Sequence, residues 1–91
     1  MIETIDHELA SAVAATAIWC EMERDGLVPS HPMIDREKTF DLLSRCEEHA
    51  VEPEFSDVLE VMVQLARDCK PDLGYEEART CVMASLREFR Q

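Results

Sequence analysis

The sequence predicts an all-α fold, a compact bundle of four helices. Three observations carry this expectation. Apolar residues recur at the helical period of about 100° per residue, with no strand-like alternation. Only two glycines and four prolines occur in 91 residues, so loops must be few and short. Alanine, leucine, glutamate and methionine, which favour helix, are plentiful. Hydrophobic residues make up 46% of the chain, enough for a globular core, and the length suits a single helical domain over residues 1–91.

The first helix is expected over about 5–25. It starts near Thr4 or Asp6, and Gly26 is placed to end it before a proline-broken loop. The second is expected over about 35–50, with Asp35 as N-cap, followed by a tight connection containing Pro53. The third runs over about 56–69, with Ser56 as N-cap and a stop before Pro71. After a turn closed by Gly74, the fourth covers about 75–90.

Helical spacing also says which faces are buried. The second and fourth helices carry narrow apolar stripes, as surface helices do. The third is apolar over more than half its circumference and is expected to be central. The first has a core stripe through Leu9, Val13, Thr16 and Cys20, and a second stripe on its opposite flank: Ser11, Ala14, Ala15, Ile18 and Met22. Two readings fit that second stripe. Either the helix is wrapped on both sides, or the stripe is an exposed interface with a second copy or another protein.

The formal net charge is −11. Such a surface repels phosphate backbones and anionic headgroups, so no direct nucleic-acid or membrane binding is expected; a protein partner with a basic surface fits. The densest acidic stretch is Glu47, Glu48, Glu52, Glu54, Asp57 and Glu60, with no lysine or arginine between them. Asp57 and Glu60 suit a helix N-terminus, whereas Glu47 and Glu48 sit at a helix C-terminus, where carboxylates are disfavoured. This corner reads either as a partner-binding surface or as a solvated face. Arg79, Arg87 and Arg90 lie along one flank of the last helix; those near its C-terminus suit the helix dipole, and the flank could pair with the corner within the chain or across a dimer.

Catalytic signatures are absent: no Gly-rich phosphate loop, G-x-S-x-G or H-E-x-x-H occurs, and no cofactor is expected. His31 lies in the longest loop without an assignable partner. Cys20, Cys46, Cys69 and Cys81 each fall at an apolar helical position, as buried thiols do. Cys46 and His49 share a helix face, but a zinc site needs two more ligands. The N-terminus is acidic where a signal peptide needs positive charge, and the longest charge-free run is too short for a bilayer. A reducing cytoplasm is the expected compartment.

The chain therefore reads as a non-enzymatic protein–protein interaction module, an inhibitor, adaptor or regulatory subunit that binds a basic surface, with mimicry of nucleic-acid charge as one way of doing so. The alternatives are a structural homodimer and an acyl-carrier-like protein modified at Ser56. The Asp-Ser-Leu of acyl carrier proteins is missing here, since Phe55 precedes Ser56 and Asp57 follows it.

Overall fold

The computed structural model describes residues 5–90. It contains four helices: α1 (His7–Arg24), α2 (Arg36–Glu48), α3 (Phe55–Cys69) and α4 (Tyr75–Phe89). No strand occurs among the described residues, and the all-α bundle expected from periodicity is what forms. The predicted interiors agree with the observed ones; the ends differ by a few residues.

Most ends follow local chemistry. The Asp6 side chain accepts the N–H of Leu9 at 2.8 Å, and that of Asp35 accepts the N–H of Lys38 at 3.1 Å. Each satisfies one of the donors a helix start leaves open. At the end of α1, Gly26 has φ 78°; its N–H bonds the Glu23 carbonyl, and the Leu27 N–H bonds that of Met22. This pair of bonds around a left-handed residue is the Schellman stop. Helix α2 ends in the same way. The N–H of Ala50 bonds the Glu47 carbonyl and the N–H of Val51 bonds that of Cys46, but the left-handed residue is Ala50, with φ 54°.

Helix α3 departs from expectation. Its N-cap is Glu54, without a side-chain capping bond, and Ser56 sits exposed inside the first turn. The reason is tertiary. The Glu54 N–H donates to Ser11 Oγ at 2.9 Å, which fixes where the chain turns into α3 and brings Phe55 into the helix.

Packing follows the order α2, α1, α3, α4: α1 contacts both α2 and α3, and α4 packs chiefly on α3. The expectation that α3 alone is central is therefore corrected. Eight of the 18 residues of α1 are buried, against five of 15 in α3. Small side chains make this possible: Ala10, Ala15 and Ala17 let neighbouring helices approach on two sides. The main core joins α1, α3 and α4 around Trp19, Met22, Met62 and Val82. A smaller one, Ala10, Val13 and Cys46, joins α1 to α2, with Val51 packed against it. A fully buried side chain of the size of Met22 or Met62 contributes about 1.5–3 kcal/mol through burial.

Three of the five residues of the second stripe of α1 are thus internal, and the reading of the whole stripe as an exposed interface is corrected. Ser11, Ala15 and Met22 are each 0% exposed, while Ala14 and Ile18 are half-buried against the main core. The thiols also divide. Cys20 and Cys46 are buried as expected, Cys69 is half-buried, and Cys81 is exposed on α4, against expectation. No helix among the described residues is long and apolar enough to cross a membrane.

Candidate interaction surface

All six acids of the predicted corner are exposed, and the fold brings them to the junction of α2 and α3. Glu47 and Glu48 occupy the last turn of α2. The left-handed turn at Ala50 then reverses the chain, and residues 51–54 run extended to α3. Two bonds from α1 hold this segment. His7 Nδ1 donates to the Glu52 carbonyl at 2.8 Å, and Ser11 Oγ accepts the Glu54 N–H while donating to the His7 carbonyl at 2.7 Å. Ser11 is therefore a buried hydrogen-bond hub for the acidic corner, and its 0% exposure follows from that role.

The carboxylates themselves are little engaged. Glu60 accepts the Tyr75 hydroxyl, and this bond pushes the Tyr75 phenol above its ordinary value. Among the described residues, no side-chain hydrogen bond or ion pair holds Glu47, Glu48, Glu52, Glu54 or Asp57; the ion pairs lie at Arg24–Asp25, His31–Asp68 and Arg45–Asp41. The expected pairing of Arg79, Arg87 and Arg90 with the corner does not form within these residues. Arg90 nonetheless comes close, sharing a groove with Pro53 and Phe55.

That groove, about 260 Å³, runs over α3 between α1 and α4. Its walls include Ile18, Val58, Met62, Leu86 and Phe89. Phe55 stands at its acidic end with 56% of its surface exposed, a large apolar side chain that the fold leaves uncovered. The half-buried Ala14 and Ile18 line it as well, so these two members of the α1 stripe face partly outward.

A second polar constellation lay beyond sequence reasoning. The His31 side chain, only 6% exposed, donates from Nε2 to Asp68 Oδ2 at 3.1 Å. Its Nδ1 accepts the Met33 N–H at 3.1 Å, which fixes the tautomer, since a backbone N–H can only donate. Gln64 Nε2 donates to the other Asp68 oxygen at 2.9 Å. These bonds, that from Gln64 first and that from His31 second, hold the Asp68 carboxyl below its ordinary range. His31 and Cys20 line one pocket, but both ring nitrogens are occupied, and burial pushes the Cys20 thiol up. This arrangement clamps the α1–α2 loop onto α3 and does not activate a thiolate. Trp19 adds to the clamp, with Nε1 donating to the Pro29 carbonyl at 3.1 Å.

Cys46 and His49 do not build a metal centre. Cys46 is buried in the α1–α2 core and His49 is the exposed C-cap of α2. Among the described residues, no group of three or more His, Cys, Asp or Glu side chains is placed to hold a metal ion.

No known protein family, curated protein or solved structure matches the chain.

Proposed function

We propose that this chain is a non-enzymatic interaction module whose acidic corner captures a basic surface of another protein. One observation carries the reading. Five exposed carboxylates stand within a short stretch, without a cation from the described residues on any of them, on a backbone pinned by His7 and Ser11. Like charges held this close add their fields, and a partner bearing lysine and arginine would be steered to them. Direct contact with nucleic acid or anionic lipid is disfavoured by the same charge.

The test is capture of partners from the native host by the tagged protein, with mass spectrometry, across a salt series. The expected partner presents a basic surface and is lost steeply as salt rises, because exposed charges are screened within about 10 Å at 0.1 M. The triple variant Glu48→Lys, Glu52→Lys, Glu54→Lys should abolish capture while keeping helicity. Undiminished capture by that variant would refute the proposal and leave the corner a solvated face.

A further inference from the structure

The clamp at His31 is built on a hydrogen-bond pattern that only the neutral ring satisfies. Its Nε2–H is spent on Asp68, and its Nδ1 offers a lone pair to the Met33 N–H at 3.1 Å. A further proton has one place to go, Nδ1, and there it meets the Met33 N–H donor to donor. The surroundings nonetheless favour the added charge. The charged and titratable groups around the ring are Asp68 from α3, Cys20 and Glu23 from α1, and Arg36 from α2, with Cys69 of α3 on the neighbouring Ser30 carbonyl; α4 supplies none to this pocket. Burial pushes both thiols up, so they stay neutral, and two carboxylates stand against one cation.

We infer that His31 is a proton-operated latch on the α1–α2 loop: neutral, it ties down the turn over residues 31–34 through Met33; protonated, it stays on Asp68 and lets that turn open. The proton comes from solvent onto Nδ1, Nε2–H remains on the Asp68 carboxylate, and the Met33 N–H turns to water. Met33 is 83% exposed, so its freed N–H is hydrated at little cost. Across the turn there remains the bond from the Ile34 N–H to the His31 carbonyl, long at 3.4 Å. Upstream the loop keeps its anchors, Trp19 on the Pro29 carbonyl and Cys69 on that of Ser30. The opening is therefore confined to residues 32–34. It lifts Ile34 from the edge of the main core and from the pocket of about 250 Å³ that it shares with Cys20.

The inference is tested by NMR on the full chain between about pH 8 and 5, the range in which histidine takes up charge. The His31 ring nitrogens should report the Nε2–H tautomer at the upper end and a doubly protonated ring at the lower end. The Met33 and Ile34 amide signals should move with the same midpoint as the ring, and hydrogen-exchange protection of the Met33 amide should fall about fivefold. The Trp19 Nε1–H signal and the amides of α1 and α3 should hold still, because the upstream anchor stays closed. Asp68→Asn keeps an acceptor for Nε2–H and removes a charge that favours the imidazolium, so the common midpoint should move to lower pH. His31→Asn places a carbonyl oxygen where it can accept the Met33 N–H and does not titrate, so Met33 and Ile34 should no longer respond to pH.

A ring that titrates while the Met33 and Ile34 amides stay fixed would overturn the latch, since the proton would then release nothing. A ring that stays neutral down to the lower end of the range would overturn it as well and leave the clamp a static contact. An unchanged pH response of Met33 in His31→Asn would assign the response to another group. Movement of the α1 and α3 amides over the same range would mean general unfolding in acid, which equally overturns a local opening.

Discussion

The left-handed residue at the end of α2 offers a quantitative check on the corner's geometry. Ala50 has φ 54° in a Schellman stop, and its side chain is exposed. An L-residue with a Cβ pays about 1–2 kcal/mol in this conformation, because Cβ crowds the following carbonyl. Glycine removes that crowding and loses about 0.4–1 kcal/mol through the greater freedom of its unfolded chain. Ala50→Gly should therefore stabilise the fold by about 0.5–1 kcal/mol, raising the melting temperature by roughly 2–8 °C in a domain of this size. No packing is lost, since the deleted methyl faces solvent.

Gly26 supplies the mirror experiment. It holds the same position after α1 with φ 78°, and a Cβ there would meet nothing within 4 Å. Gly26→Ala should then destabilise by about 0.5–1 kcal/mol through backbone strain alone. Both variants are measured by urea unfolding and calorimetry. If Ala50→Gly proves neutral or harmful while Gly26→Ala behaves as stated, the chain does not turn through a left-handed Ala50. The placement of residues 51–54 would fall with it.

Three further outcomes are expected. Ala15→Glu, at a position 0% exposed between α1 and α3, should cost several kcal/mol and unfold much of the protein; a folded variant with altered sedimentation mass would instead revive this stripe as an interface. The Asp68 carboxyl is held below its ordinary value of 3.8, so it stabilises the fold above that pH and this contribution is lost as pH falls through the lower folded value. Urea midpoints of the wild type should thus drop between about pH 5 and 3, and Asp68→Asn should flatten the drop; an unchanged acid limb would remove Asp68 from the clamp. Alkylation mapped by mass spectrometry should modify Cys81 first, Cys69 more slowly because it is half-buried with its thiol pushed up by burial, and Cys20 and Cys46 last; rapid labelling of Cys20 would contradict the main core.

What was legible in the sequence was local. Asp35 and Gly26 mark helix ends through bonds to neighbours one turn away, as the sequence predicts, and Asp6 is one of the two starts it offers for α1. The stripes of α2 and α4 are narrow, so their buried faces were readable. Helix α1 was ambiguous because both of its flanks are apolar or small, and only the position of α3 decides that Ser11, Ala15 and Met22 are covered. Ser56 resembled an N-cap by type, yet Ser11, 43 residues from Glu54, set the start of α3. The His31–Asp68 bond spans 37 residues, with no spacing signal to announce it. Ala50 gave no warning either, since glycine is the usual residue at such a turn. Long-range contacts of this kind belong to topology, and a single sequence encodes them only through the finished fold.

Several misfits between local chemistry and structure fall at the α2–α3 junction. Glu47 and Glu48 put negative charge at the negative end of the α2 dipole. Two residues later Ala50 takes a left-handed conformation that glycine would adopt more easily. Glu54 then caps α3 without a side-chain bond, and Phe55 stands 56% exposed. Elsewhere Asp6, Asp35 and Gly26 obey the local rules. Conflicts between local preference and global fold tend to gather where a sequence serves something other than stability. Several of them fall on the segment that joins the exposed carboxylates to the apolar groove, which supports the proposal that this corner is shaped for a partner. A corner kept only for solubility could carry the same acids on α2's outer face, with glycine at position 50 and a polar residue at position 55, and would be the more stable for it.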